Sequence, residues 1–325
     1  MVMPELSEVL ANARVVSIPL RTRFRGLTER EAVVFAGAQG WTEFSPFAEY
    51  DDAEAAAWLR AAYEFGWDPL PPLYRSTIPV NATVPAVDPD EVERVLAGFG
   101  PCRTVKVKVA QPMQTLSEDV ARVARVRELL GAEGRLRIDA NGAWNIDEAE
   151  HAIHALAEYD LEYVEQPCAT IAELSEIRSR VKYMDIPIAA DESVRKESDP
   201  LEVARAGAAN LLVLKVQPLG GIRNSMTIAD TAGLPVVVSS ALDTSIGLAM
   251  GAHLAAALPT LEFDCGLGTA ALLAGDVVTQ PLIPLDGHIP VSRPEVDEHA
   301  LARFAASPER TQWWLDRLTR VHALV

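Results

Sequence analysis

TVKVKV, residues 104–109, and RLRIDAN, residues 135–141, carry the same pattern of apolar and charged residues in alternation. Side chains along a strand point to opposite faces in turn. Lys106 and Lys108 therefore share one face of the first segment, with Val105, Val107 and Val109 on the other. In the second, Arg137, Asp139 and Asn141 share a face against Leu136, Ile138 and Ala140. The apolar faces suit cover by helices. The charged faces are costly to bury without opposite charge or a chemical use. An edge strand with a solvated lysine face would explain K-x-K by itself, but not a recurrence of the pattern down the chain.

Outward from these two segments a strand–helix beat runs from about Pro79 to Asp264. Further strands are expected at 79–86, 163–167, 187–193, 211–216, 235–240 and 260–264. Amphipathic stretches such as DPDEVERVLAGF and SEDVARVARVRELL lie between them, with Asp88 and Ser117 as expected N-caps. Eight strands alternating with helices indicate an α/β fold, a (β/α)7β TIM-like barrel. Residues 1–77 read differently. VVSIPL, EAVVFAG and GWTEFSPF look antiparallel, with a turn at Gly37–Gly40, and a helix follows Asp51 or Asp52. The expected division is a small α+β capping domain at 1–77, the barrel at 78–268, and a segment at 269–325 that returns to the cap and ends in a helix near 308–325.

Lys108, Asp139, Glu165, Asp191 and Lys215 each fall near the end of an expected strand, at intervals of 31, 26, 26 and 24 residues. The C-terminal strand ends of such a barrel form one mouth, so the five should converge. Three carboxylates brought together repel strongly unless a cation compensates them. Hard oxygen donors suit Mg²⁺ or Mn²⁺. Singly, each carboxylate reads equally well as an ion pair or a helix cap; in register they read as metal ligands. Lys215 interrupts the apolar strand LLVLKV, a place for a functional or rim lysine. Together these residues suit removal of a proton next to a carboxylate. A divalent ion stabilises the charge that develops, and a neutral lysine takes the proton. Lys106, on the same face as Lys108, would lower that lysine's pKa by like-charge repulsion.

K-x-K, D-x-N, E-Q-P, D-E-S and a later L-K-V, in this order and spacing, resemble the muconate-lactonizing subgroup of the enolase superfamily. The resemblance implies that Asp139, Glu165 and Asp191 bind the metal and that Lys108 and Lys215 are the active-site lysines. It also implies a cap over the barrel mouth, with a lid from loops near Pro19–Leu27 and Ser45–Asp51. The subgroup contains dehydrating enzymes, racemases, epimerases and cycloisomerases. The short chain, the trimmed cap, SSALDTSIG, DCGLGTAALLAGDVV and Arg137 resemble the dehydrating branch, and E-x-D at Glu262–Asp264 departs from the epimerases' D-x-D. Arg137, Asn141, Ser239, Ser240 and Gly266 are the candidate substrate contacts. CGLGT reads either as a backbone-donor loop for a carboxylate or as a tight turn.

Composition narrows the rest. A net charge of -17 over 325 residues repels phosphate backbones, so a small carboxylate rather than a nucleic acid is the expected partner. Cys102, Cys168 and Cys265 are scattered and form no C-x-x-C, against disulfides or a thiolate zinc site. His151 and His154 read as a solvated helix face. No basic-then-apolar leader is evident, and the apolar run at 246–258 reads as a buried helix rather than a membrane span. A cytoplasmic protein is expected. The oligomeric state is not legible.

Overall fold

The computed structural model describes residues 2–194 and 199–325. The chain opens with helix α1 (Leu6–Asn12) and an antiparallel meander, β1 (Arg14–Phe24), β2 (Leu27–Gly37) and β3 (Gly40–Phe44). The β2–β3 turn pairs Gly37 with Gly40, as the sequence predicts. Asp51 caps helix α2 (Asp52–Trp67) by accepting from Glu54 N. The short strand β4 (Thr77–Pro79) then leads into the barrel.

Seven parallel strands follow: β5 (Ala82–Val84), β6 (Thr104–Lys108), β7 (Arg135–Asp139), β8 (Leu161–Glu165), β9 (Ile188–Ala190), β10 (Leu211–Lys215) and β11 (Val236–Ser239). Each pairs with the next in chain order. Helices α3 (Val92–Ala97), α4 (Leu116–Leu130), α5 (Ile146–Leu156), α6 (Ile171–Arg180), α7 (Asp199–Ala206) and α8 (Ile222–Ala232) alternate with them, and α9 (Ser245–Ala257) follows β11. The apolar faces of α3–α8 and outward valines, isoleucines and leucines of β5–β10 make one continuous core, while α9 packs with Val238 of β11, Val216, Ile222 and Cys265 in a second. The eighth position is narrower than the expected strand at 260–264. Cys265 bridges Val80 and Gly266 bridges Ser239, both in parallel sense, so the ring is shut by two residues. Cys265 N donates to Pro79 O, Asn81 N to Cys265 O and Gly266 N to Val238 O.

Beyond the ring, β12 (His288–Pro290) pairs with β4, and α10 (Glu298–Arg303) and α11 (Pro308–His322) complete the chain. Trp314, Leu318 and Val321 of α11 pack with Phe35, Phe44, Trp58 and Tyr63 of the cap. The C-terminal helix thus belongs to the cap's core. Every residue of α9 is buried, which accounts for the apolar run at 246–258. Among the described residues no helix is long and apolar enough to cross a membrane.

Two expected caps are corrected. Thr115, not Ser117, caps α4, because Glu118 sits three residues after Thr115 and completes a reciprocal capping box. Asp88 precedes a 3-10 turn and its side chain makes no cap bond.

Candidate active site

Strand register aligns the chemistry. Lys106 pairs with Arg137, Lys108 with Asp139, and Asp139 with Glu165, so the inward charged residues form two layers. The upper layer faces a cavity of about 890 Å³ at the barrel mouth, lined by Lys106, Lys108, Asp139, Asn141, Asp191, Lys215, Ser239, Ser240 and Gly266 among others. Arg23, Phe24, Phe47 and Tyr50 of the cap close it from above, as expected for the two lid loops. The Lys108 ammonium lies 5.4 Å from the centre of the Phe24 ring.

Asp139, Glu165 and Asp191 are buried, and each offers a carboxylate oxygen within 4.8 Å of the others. Three ammonium groups meet them. Lys106 Nζ is 2.8 Å from Glu165 and 3.3 Å from Asp139. Lys108 Nζ donates to Asp139 Oδ2 at 2.5 Å and to Asn141 Oδ1 at 2.9 Å. Lys215 Nζ donates to both oxygens of Asp191. Burial raises the Glu165 carboxyl, and the Asp139 charge beside it raises it further, to about 8. Burial also works on Asp139, but Lys108 and Lys106 hold its carboxyl well below the usual range. Burial opposes the charge on Lys106, yet Glu165 and Asp139 hold its pKa well above the ordinary value. Lys106 is therefore a fixed cation under the site. Three buried, hard carboxyl oxygen donors in this reach fit a divalent ion, since the donor set lacks sulfur and nitrogen.

Neighbouring residues fix these groups. Asp119 and Arg122 of α4 are buried under β6; Arg122 donates to Lys108 O, and Asp119 accepts from Ala110 N. Gln166, the middle residue of E-Q-P, has φ 40° and accepts from Asp191 N and Ser193 N while donating to Ser193 Oγ and Cys168 O. It staples the D-E-S turn to β8. Sequence reading missed this role; the signal was an amide directly after a candidate ligand.

Three predicted substrate contacts, Asn141, Ser239 and Ser240, line the cavity. Gly266 does too, but its N–H is used on Val238 O, so it has no amide to give a carboxylate. Arg137 does not line the cavity. It lies in the lower layer, fully buried, bonded to Glu162 at 2.5 Å, to Asn81 and to Asp264 O, with its guanidinium over the Tyr163 ring. It plugs the barrel floor, because two residues back along an inward face is one layer deeper. His151 and His154 are exposed on α5, with His154 bonded to Tyr183 OH.

Comparison with known proteins agrees with this geometry. Residues 89–295 match the enolase C-terminal domain-like family and residues 15–66 the enolase N-terminal domain-like family. The o-succinylbenzoate synthase of Thermobifida fusca is 54% identical over 313 residues, covering 95% of this chain and 96% of that protein. That of Mycobacterium tuberculosis is 50% identical over 325 residues, covering 100% of this chain and 98% of its own. Among solved structures, the muconate lactonizing enzyme of Pseudomonas putida superposes with a TM-score of 0.72 at 21% identity, covering 91% of this chain and 98% of that one, a likeness of fold. The chain belongs to the enolase superfamily and, within it, to the o-succinylbenzoate synthase family.

Proposed function

We propose that the chain catalyses the o-succinylbenzoate synthase reaction, dehydration of 2-succinyl-6-hydroxy-2,4-cyclohexadiene-1-carboxylate to o-succinylbenzoate, by resemblance a step of menaquinone synthesis. Full-length identity of 50–54% to synthases carries the reading. The meeting of three lysines with three carboxylates, two of which line one cavity, supports it.

Asp139, Glu165 and Asp191 would hold Mg²⁺ or Mn²⁺. When bound, such an ion supplies Lewis-acid stabilisation of the charge that gathers on the substrate carboxylate. Lys108, anchored by Asn141 and by the α4 contacts to its backbone, takes the proton next to that carboxylate. The C–H bond pair becomes the ene-diolate. The ring C–O bond then breaks with the electrons leaving on the hydroxyl, which takes the proton from the Lys108 ammonium and departs as water. One residue on one face thus serves as base and acid. Lys215 enters from the other side of the carboxylate group and stabilises the ring through a cation–π contact. Lys106 stays charged beside Glu165 and Asp139. The Phe24 and Phe47 lid keeps the proton transfer away from bulk water.

The test is a turnover assay with the cyclohexadiene carboxylate and with N-acylamino acids, on the same preparation. Efficient racemisation with negligible dehydration would overturn the substrate assignment and favour a two-base use of Lys108 and Lys215.

A further inference from the structure

Below the cavity wall, where the cap meets the barrel, two carboxylates and one guanidinium are buried together. Glu43 of β3 and Asp243, in the loop after β11, are both inaccessible, and so is Arg30 of β2. Glu43 accepts from Ser45 Oγ at 2.6 Å, from Thr244 Oγ1 at 2.5 Å and from Gly247 N at 3.0 Å. Asp243 accepts from Gln217 Nε2 at 3.0 Å and from Ala241 N at 3.2 Å, and Gln217 Nε2 reaches Ser45 Oγ at 3.5 Å. Arg30 donates to Leu242 O at 3.1 Å and to Ser45 O. Both acids converge on Gly247: a Cβ there would stand 2.7 Å from the Cβ of Asp243 and 2.9 Å from the Cδ of Glu43.

The cluster ties three things together: cap strand β3, the loop that follows Lys215 through Gln217, and the loop after β11. That last loop supplies Ser240, Ala241 and Leu242 to the cavity wall. Leu242 holds a left-handed φ of 62°, unusual for a branched residue, between the Asp243 bond to Ala241 N and the Arg30 bond to its own carbonyl. The mechanism above uses none of these groups.

We infer that Glu43 and Asp243 share a single proton against Arg30, and that this one-proton clamp is a positioning device that sets the cavity wall at Ser240–Leu242. Arg30 is the one cation buried within the cluster, so two ionised carboxylates would outnumber it, which burial strongly disfavours. Burial first, and the Asp243 charge second, push Glu43 up to about 7. The surrounding charges are few. Arg25 and Glu49 face Arg30, Lys215 faces Asp243, and Asp276 bonds Ser245 on the far side of Thr244. When the proton leaves, two anions confront one guanidinium, and the left-handed loop loses the balance that holds it.

The sign follows from linkage. A carboxyl raised from 4.5 to about 7 keeps its proton in the folded state where the unfolded chain has lost it, so its contribution to stability falls as pH rises through that window. Glu43→Gln mimics the protonated acid. The experiment measures Tm of the wild type and of Glu43→Gln across pH, together with KM and kcat. The Tm of the wild type minus that of the variant should fall steadily from about pH 4.5 to about pH 7 and then level. KM of the wild type should rise roughly threefold or more on the alkaline side while KM of the variant stays flat, with kcat little changed in both. Glu43→Gln and Asp243→Asn should each fold, and the double variant, which strands Arg30, should lose more than the sum of the two. A Tm difference independent of pH, a variant KM that tracks the wild type, or additive single effects would each overturn the clamp. The KM arm rests on the proposed reaction. Absence of wild-type turnover would sink that reaction and leave the unfolding arm to decide the clamp.

Discussion

Replacing Glu64 by alanine should unlatch the barrel from its cap. Glu64 lies on α2, yet its carboxylate serves the first turn of the barrel helix α8. One oxygen accepts from Ile222 N at 2.5 Å; the other accepts from Arg223 N at 3.1 Å and from Arg223 Nη1 at 3.0 Å. The residue at the cap position of α8 is Gly221, which supplies no side-chain acceptor and has φ 125°. A Cβ there would meet Glu64 Oε2 at 2.1 Å, so the site is shaped for a carboxylate arriving from elsewhere. Losing a capping acceptor costs about 1 kcal/mol. Leaving the buried Ile222 N–H unpaired adds about 1–2 kcal/mol. The half-exposed Arg223 pair adds little after solvent screening. The sum is about 2–3 kcal/mol, or a Tm lower by roughly 3–4 °C for a chain of this size. Glu64→Gln keeps one acceptor and should lose about half as much. Because the loop 216–221 links Lys215 to α8, kcat should fall with stability while the cap remains folded. Thermal unfolding of the two variants checks this. A Glu64→Ala protein within about 0.5 kcal/mol of wild type would refute the capping argument.

The remaining expectations concern the site itself. Chelation should abolish turnover, with recovery on adding Mg²⁺ or Mn²⁺. Asp139→Asn, Glu165→Gln and Asp191→Asn should each lose most activity and metal affinity, read by calorimetry, while far-UV circular dichroism stays native; full activity after thorough stripping would remove the metal from the account. Lys108→Ala and Lys215→Ala should each lower kcat by roughly 10²–10⁴-fold or more without loss of fold. Near-normal turnover of Lys215→Ala would make its place in the apolar strand structural. Arg137→Met should leave KM near wild type and destabilise the protein by about 3 kcal/mol, since it takes the donor from buried Asn81 Oδ1 and Asp264 O and leaves Glu162 with Arg135 alone. A large rise in KM without loss of stability would return Arg137 to the substrate.

What the sequence shows plainly is periodic. Alternation in TVKVKV and RLRIDAN, and the even spacing of Asp139, Glu165 and Asp191, follow from strand geometry and barrel register, and the fold keeps them in order. What it hides is depth. Arg137 and Asp139 share one face, but only the register of neighbouring strands tells that one sits at the floor and the other at the mouth. TLEFD reads as β while its neighbour CGLG, with two glycines, does not, so local preference puts the eighth strand too early; pairing with Pro79, Val238 and Ser239 overrides that preference. Glu43 and Arg30 were illegible, since an acid and a base 13 positions apart in a meander look like surface residues until the barrel loop folds over them.

The two-residue seam at Cys265 and Gly266 bears on how the molecule assembles. Neighbouring strands from β6 to β11 meet after one helix each, so they close short chain loops and can add in succession. The seam joins Val80 to Cys265 across 185 residues (265 − 80). For a flexible chain, closing such a span costs roughly 5 kcal/mol of configurational entropy, repaid only once the intervening units are already in place. On loop entropy alone, ring closure is expected late in folding. The cap carries a longer span still, since Ala305, just before α11, bridges Val16 of β1 across 289 residues (305 − 16).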